Sequence, residues 1–227
     1  DRQLFEKLPR RKVHVMGFTH YQEFPGVIPN PHESRRYAEG QTFDYANAVD
    51  SWGTCFRNPS AMGVPSSKPQ LQLSESDMLN PAEFVQFRGS ARKLFDYAYV
   101  CLGDSQRGER CVSGWQSYCR NWPFATRAIE ALSASGFRGL LLGRAGCTTH
   151  LSATARRQTV TTRMLTRYHF LRRLATCRVL LVTAVHDASP RILAEGLLLG
   201  HAVLLNSRIL GGWKYMRPDA GEFFDDT

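Results

Sequence analysis

From residue 94 onward, short unbroken apolar runs alternate with segments whose apolar residues recur at helical spacing. Phe95 to Leu102 is aromatic and β-branched and predicts a buried strand. A polar loop, Gly103 to Arg120, follows. Asn121 to Ser133 places Trp122, Ala125, Ile129 and Leu132 on one helical face, with Gly136 just past the end. Leu140 to Leu142 predicts a short strand. Residues 144–160 are polar, rich in Thr and Arg, and show no clear period. A strand is expected around Val160 to Leu165, a helix over Tyr168 to Cys177, and a strand over Val179 to Ala184. The last pair is a helix from Ser189 to Leu199 and a strand from Ala202 to Leu205. Strands alternating with helices of this length imply βαβ units, and apolar runs without alternation fit parallel strands covered on both faces.

The first part of the chain is less regular. Lys12 to Phe18 alternates and predicts a strand ending near Gly17, and a Pro-, Asn-, His- and Gly-rich loop runs from Pro25 to Gly40. Gln70 to Leu73 is a second strand candidate. Asn80 and Pro81 open a short helix as N-cap and first residue. The expected architecture is α/β: a Rossmann-like, doubly wound parallel sheet over residues 93–227, preceded by a partial, irregular α/β region over residues 1–92.

Composition narrows the function classes only a little. Net charge is +9, and five of the 29 basic residues are Lys, so Arg dominates. Arg matches phosphate oxygens in bidentate fashion, and a positive field favours a phosphorylated ligand or a polyanion; an Arg-rich solvated surface accounts for the composition equally well. Six cysteines show no C-x-x-C spacing, which leaves no zinc-binding pattern. Cys111 and Cys119 flank a loop and could pair; Cys101 and Cys177 adjoin apolar runs and should be buried. No apolar run reaches the ~20 residues of a membrane span. The chain starts at Asp1 and stops near Phe223 and Phe224 in what reads as the middle of an element, so a fragment cut at both ends is expected. The compartment stays open, cytoplasmic and Golgi or ER alike.

The chemistry concentrates in His186 to Glu195. This segment leaves the C-terminal end of an expected parallel strand, the edge where open α/β sheets bind ligands. Ser189 is a favourable N-cap, Pro190 a favourable first helical residue, and Gly200 a fitting stop. Such a helix start presents free N–H groups and a partial positive charge to an anion. Arg191 runs against the macrodipole there, and a bound phosphate would compensate it; without a ligand, Arg191 and Glu195 would form an exposed i,i+4 pair.

Asp187 and Glu195 are separated by seven residues. Gly200, the run Ala202 to Leu205, Gly211-Gly212 and Gly221 to Phe224 follow in order. This succession resembles the donor-binding, C-terminal domain of GT-B fold glycosyltransferases, in particular the retaining group of glycogen-synthase and sucrose-synthase type (glycosyltransferase family 1/4-like). Asp187 stands where that group usually has Glu, and the Gly-rich run before the second acid is absent. The resemblance implies a hexosyltransferase-like enzyme using a nucleotide-sugar donor as substrate, with no cofactor and no metal, and an acceptor not specified by these residues. It places Asp187 near the donor sugar, Glu195 on the ribose hydroxyls, and Ser189, Pro190 and Arg191 at the diphosphate. Among Arg107, Arg110 and Arg120 after the first strand, Arg120 is the choice for the phosphates. Arg144, at the end of another strand, and Gly211, Gly212 and Lys214 would add donor contacts. Trp213 is expected in the core more than as a stacking platform. His20 could face a cleft; His14 should be structural; Ser74 to Asp77 could form an acidic edge or a plain loop. Activity of the isolated fragment is left open.

Three rival readings stand beside this one. A non-catalytic nucleotide- or sugar-binding protein could keep the fold. A nucleic-acid-binding module is suggested by charge and by the Arg-rich stretch from Arg156 to Arg178, yet those residues form no continuous helical face and no RNA-binding motif accompanies them. A dehydrogenase ranks low because no G-x-G-x-x-G follows a strand.

Overall fold

The computed structural model describes residues 13–19, 44–89, 91–101 and 114–226, together with residues 7 and 9. The chain divides into two compact units, residues 1–74 and 75–227.

The first unit carries three parallel strands in the order β1-β2-β3: Met16–Thr19, Ser51–Thr54 and Gln70–Gln72. The middle strand escapes sequence reading because Ser51-Trp52-Gly53-Thr54 is short and lacks alternation. Trp52 is its anchor. The ring packs with Val49 and Val64 and lies against Gly17, where an added Cβ would sit 2.8 Å from it. A short helix, α1 (Tyr45–Ala48), precedes β2, and the Ala46 carbonyl accepts the Trp52 indole N–H at 3.1 Å. His14 meets the Ser51 hydroxyl at 2.9 Å.

The second unit begins earlier than the expected boundary at residue 93. Residues 75–89 belong to it because α2 (Ala82–Val85) and the turn after it deliver Phe84 and Phe87 into the same core as Leu171, Leu174 and Leu180. Asn80 Oδ1 accepts the Ala82 N–H at 3.0 Å and fixes the start of α2. Its six strands are β4 (Phe95–Val100), β5 (Gly139–Leu142), β6 (Thr159–Thr162), β7 (Cys177–Val182), β8 (Ala202–Asn206) and β9 (Gly221–Phe224). They form one all-parallel sheet in the order β6-β5-β4-β7-β8-β9. Counted from β4, this is the 3-2-1-4-5-6 order of a doubly wound sheet, which confirms the expected class. Leu140, Leu180, Val203 and Leu205 face one apolar layer; Tyr97, Tyr99 and Leu141 face the other, with Trp122 and Ile129 of a covering helix.

That helix is α4 (Trp122–Ala134), one residue from its expected start. It is preceded by α3 (Trp115–Cys119), which falls inside the stretch expected as polar loop. Its polar sequence hides that Ser117 and Cys119 are buried. The Thr- and Arg-rich stretch holds α5 (Ala153–Gln158), started by Ser152, whose hydroxyl accepts the Ala155 N–H. The remaining helices are α6 (Arg167–Leu174) and α7 (Arg191–Leu198). Cys119 is in no disulfide and its thiol donates to the His186 carbonyl at 3.3 Å, so it takes no part in the pairing with Cys111 considered above; Cys111 lies outside the described residues.

Candidate functional site

Strand order reverses between β4 and β7, and the crevice at their C-terminal ends is the usual ligand position in such a sheet. Arg120, reached from β4 through α3, and Asp187, reached directly from β7, meet there in an ion pair. Asp187 is buried, and Arg120 keeps about a quarter of its side chain exposed. The other carboxylate oxygen of Asp187 accepts the Ser189 N–H at 3.1 Å, and its backbone carbonyl accepts the Gly211 N–H at 3.1 Å. Both oxygens of the acid therefore have partners.

Arg120 is held by its backbone. The Thr183 hydroxyl, at the end of β7, donates to the Arg120 carbonyl at 2.6 Å, and the Tyr99 phenol approaches the same oxygen at 3.4 Å. Asn206, fully buried at the end of β8, donates to the Thr183 carbonyl at 3.2 Å and accepts the Arg208 N–H at 2.9 Å. Asn121 follows at φ 52°, a left-handed conformation that Asn tolerates better than most residues. Its amide donates to Asp226 at 2.7 Å. Thus the ends of three strands and the C-terminal Asp226 fix the segment that carries Arg120. These positioning residues lie far apart in the sequence, so only Asn121, beside Arg120, was near a recognisable signal.

Glu195 sits one turn into α7 and is 5% exposed. Arg167, at the start of α6, approaches its Oε1 at 2.5 Å, and Arg191 Nε lies 3.4 Å from the same atom. The expected Arg191–Glu195 pair is present, but it is not an exposed surface pair: the acid is inside and only Arg191 reaches solvent. The partner missed from sequence is Arg167, 28 residues away. Its guanidinium also lies 5.4 Å from the Phe84 ring centroid.

The start of α7 differs from the expectation by one residue. Pro190 is the N-cap, and no side chain caps the helix. Ser189 does not cap it, because the turn is closed instead by its own N–H on Asp187; its hydroxyl is buried without a hydrogen-bond partner among the described residues. Gly212 packs the following loop onto this helix start. It has φ 80°, and an added Cβ would lie 2.4 Å from Pro190 Cγ and 2.9 Å from Leu193 Cδ2. Gly211 is committed to the Asp187 carbonyl rather than free for a ligand. Lys214 is paired with Asp77 at 2.5 Å, and the Tyr215 phenol donates to the same carboxylate at 2.6 Å. Asp77, from the 3-10 turn Glu75–Met78, thus anchors this loop. Trp213 is half-buried.

Arg144 is 1% exposed, contrary to the reading of a loop Arg at the sheet edge. Its guanidinium stacks on Trp122 at 4.8 Å and bonds the Ser117 hydroxyl at 3.0 Å and Cys101 Sγ at 2.6 Å. These contacts tie α3 to β4 and α4 and describe a structural post. Beside it, burial pushes the Cys101 thiol pKa up, against the lowering effect of Arg144. His186 stacks on Tyr118 with ring centroids 4.1 Å apart. Burial, then the Arg208 charge, holds the imidazole pKa below its usual range. Arg107, Arg110 and His20 lie outside the described residues.

At the same edge, beyond β4, a cavity of about 170 Å³ opens between Val100, Leu142, Thr162, Leu165 and Phe170, with Arg167 on its wall. Arg167 therefore joins Glu195 to the cavity. Among the described residues, no group of three His, Cys, Asp or Glu side chains is arranged to hold a metal ion, and no helix is long and apolar enough to cross a membrane.

The parallel sheet of the second unit has the fold seen in GT-B glycosyltransferases. Comparison with solved structures gives TarM at 8% identity and a TM-score of 0.64, covering 99% of this chain and 42% of TarM. The pneumococcal O-GlcNAc transferase GtfA, in complex with UDP and GlcNAc, gives 11% identity and a TM-score of 0.58, over 100% of this chain and 44% of GtfA. Sucrose-phosphate synthase from Thermosynechococcus elongatus gives 10% identity and a TM-score of 0.58, over 99% and 57% of the two chains. The chain spans well under two-thirds of the length of each. No protein-family model matches it, and no curated protein does.

Proposed function

We propose that the second unit is the donor-binding part of a glycosyltransferase that moves a sugar from a nucleotide-sugar to an acceptor. The observation that carries this reading is the placement of Asp187 and Glu195. They bracket the first turns of α7 at the switch point of a GT-B sheet, each with an arginine from another segment. The GtfA structure of the same fold holds UDP and GlcNAc.

The chemistry follows from the donor. A ribose offers two vicinal hydroxyls, and a carboxylate accepts both. Oε1 of Glu195 is held by Arg167 and Arg191, which turns Oε2 into the acceptor for a ribose, with the base directed toward the cavity that Arg167 lines. A leaving diphosphate gains negative charge as the sugar–oxygen bond breaks. Arg120 and the N–H groups of the first turn of α7 stabilise that charge without a bound metal or other cofactor. Asp187 then lies beside the sugar.

A second reading has its own observation. Both oxygens of Asp187 are already engaged, by Arg120 and by Ser189, which suits a protein that binds a nucleotide without turning it over. Thermal-shift titration with UDP, GDP, ADP and their sugars tests the shared donor site: at least one nucleoside diphosphate should raise the midpoint, and Glu195→Ala should abolish the rise. No shift with any of them removes both readings. Donor hydrolysis or transfer, measured on the same protein, then separates catalysis from binding alone.

A further inference from the structure

Because β4, β5, β6 and β7 run parallel, their N-terminal ends share the edge opposite Asp187 and Glu195. Cations gather there. Lys93 precedes β4, Arg138 precedes β5, Arg156 and Arg157 close α5 directly before β6, and Arg172 and Arg173 fill the last turn of α6 before β7. The wider sequence shows why the edge is one-sided. Residues 131–186 contain nine arginines and no Asp or Glu, so this stretch alone carries a charge equal to the +9 of the whole chain. Two acids adjoin this stretch: Asp96 receives Arg178 at 3.7 Å and the Arg138 N–H at 2.8 Å, and Glu130 accepts the Ser152 N–H and hydroxyl, each at 2.6 Å. Among the described residues, the side chains of Arg138, Arg156, Arg157, Arg172 and Arg173 make no ion pair.

Two large apolar side chains stand exposed within this set: Leu94 at 43% and Phe137 at 47%, each next to one of the cations. A polyanion in water would account for the arginines alone. It would leave Leu94 and Phe137 in contact with solvent or phosphate. A bilayer surface takes both kinds of group, with cations at the anionic headgroups and apolar side chains at the acyl boundary.

We propose that the strand-N-terminal edge of the second unit docks on an anionic lipid bilayer, through its arginines and through Leu94 and Phe137. Docking by this edge leaves the C-terminal ends of the strands, where the candidate donor site lies, facing the aqueous side. The inference stands on charge and exposure and does not depend on the glycosyltransferase reading.

The test is co-sedimentation of the full chain with phosphatidylcholine vesicles, with and without about one-third phosphatidylserine. Binding should require the anionic lipid and weaken with salt. Each cation near an anionic surface contributes about 5-fold in partitioning, so Arg172→Ala with Arg173→Ala should reduce it about 25-fold. These side chains are exposed, and thermal midpoints should confirm that the variant is folded. Phe137→Ser should weaken binding while leaving its salt dependence in place. Equal binding to neutral and anionic vesicles, no binding to either, or a double variant that binds like the parent would overturn the proposal. So would tight, salt-dependent binding to RNA with none to vesicles.

Discussion

Replacing Arg120 by Met should destabilise the second unit by about 3 kcal/mol, and most of that loss should vanish when Asp187 is changed to Asn in the same chain. The two partners are unequally buried: the Asp187 side chain is 10% exposed and that of Arg120 is 24%. Without Arg120, the buried carboxylate keeps only the Ser189 N–H as a side-chain partner. Breaking a buried pair from one side costs about 3–5 kcal/mol, and the partial exposure of Arg120 argues for the lower end. The opposite change is milder. Asn retains an oxygen for the Ser189 N–H, and the stranded Arg120 can turn to water, so Asp187→Asn should cost about 1 kcal/mol. The double variant should lose about 1–2 kcal/mol, giving a coupling of about 2–3 kcal/mol. Urea unfolding followed by tryptophan fluorescence measures all four corners, and Trp115, Trp122 and Trp213 report on this unit. Additivity within about 0.5 kcal/mol would refute the argument, since it would mean that the two charges do not interact.

Three other outcomes follow from the core. His201, 3% exposed, has its pKa lowered to about 4, chiefly by burial and then by Lys93. The folded state then binds fewer protons than the unfolded state between pH 6.5 and 4. Stability is therefore full above pH 6.5 and falls by up to about 3 kcal/mol as pH drops to 4, and His201→Leu should flatten that slope in denaturant titrations across this range. Gly139→Ala should lower the unfolding free energy by about 1–3 kcal/mol, because the new Cβ would lie 2.4 Å from the Tyr97 ring and hydroxyl. A Gly139→Ala protein as stable as the parent would show that the ring can move aside. Cys177, buried and with its thiol pKa pushed up to about 12, should resist iodoacetamide at pH 8 until the protein is unfolded, as read by mass spectrometry.

What sequence reading recovered divides along a physical line. Strands β4, β7 and β8 and helices α4 and α7 were legible because their burial is written in local patterns, as with Trp122, Ala125 and Ile129 on one face. Helix α3 was not, because its buried residues, Ser117 and Cys119, are small and polar, and its place is set by contacts with Arg144 and His186. The two units divide after residue 74, and Phe84 and Phe87 carry no signal in the sequence of which core they join. Asp187 and Glu195 stood out through spacing and strand-end position. Their arginine partners obey tertiary rules: Arg120 is one of three candidates in its loop, and Arg167 stands out only as a member of the Arg-rich stretch, not as a partner of Glu195. Arg144 was read from the same kind of strand-end position as Arg120. Only burial separates them, since Trp122 covers one guanidinium and leaves the other at the crevice.

That difference gives Arg120 a role which can be isolated from its part in stability. If a donor diphosphate binds at the start of α7, it brings negative charge toward Asp187, and Arg120 neutralises the acid it would meet. A nucleoside without phosphate brings no such charge and needs no such partner. Arg120→Met should therefore weaken a nucleoside diphosphate far more than its nucleoside. A charge-assisted hydrogen bond contributes about 1.5–3 kcal/mol, which corresponds to about 10- to 100-fold in affinity for the diphosphate alone. Comparing two ligands on one variant cancels any general loosening of the fold, which would reduce both alike. Isothermal titration with the matched pair reads the ratio directly, on Arg120→Met and on Arg144→Met as a contrast. Arg144 stacks inside the protein, so its loss should lower stability and leave the ratio near that of the parent. A ratio unchanged in Arg120→Met would remove Arg120 from the phosphate site and leave it as a partner of Asp187 only.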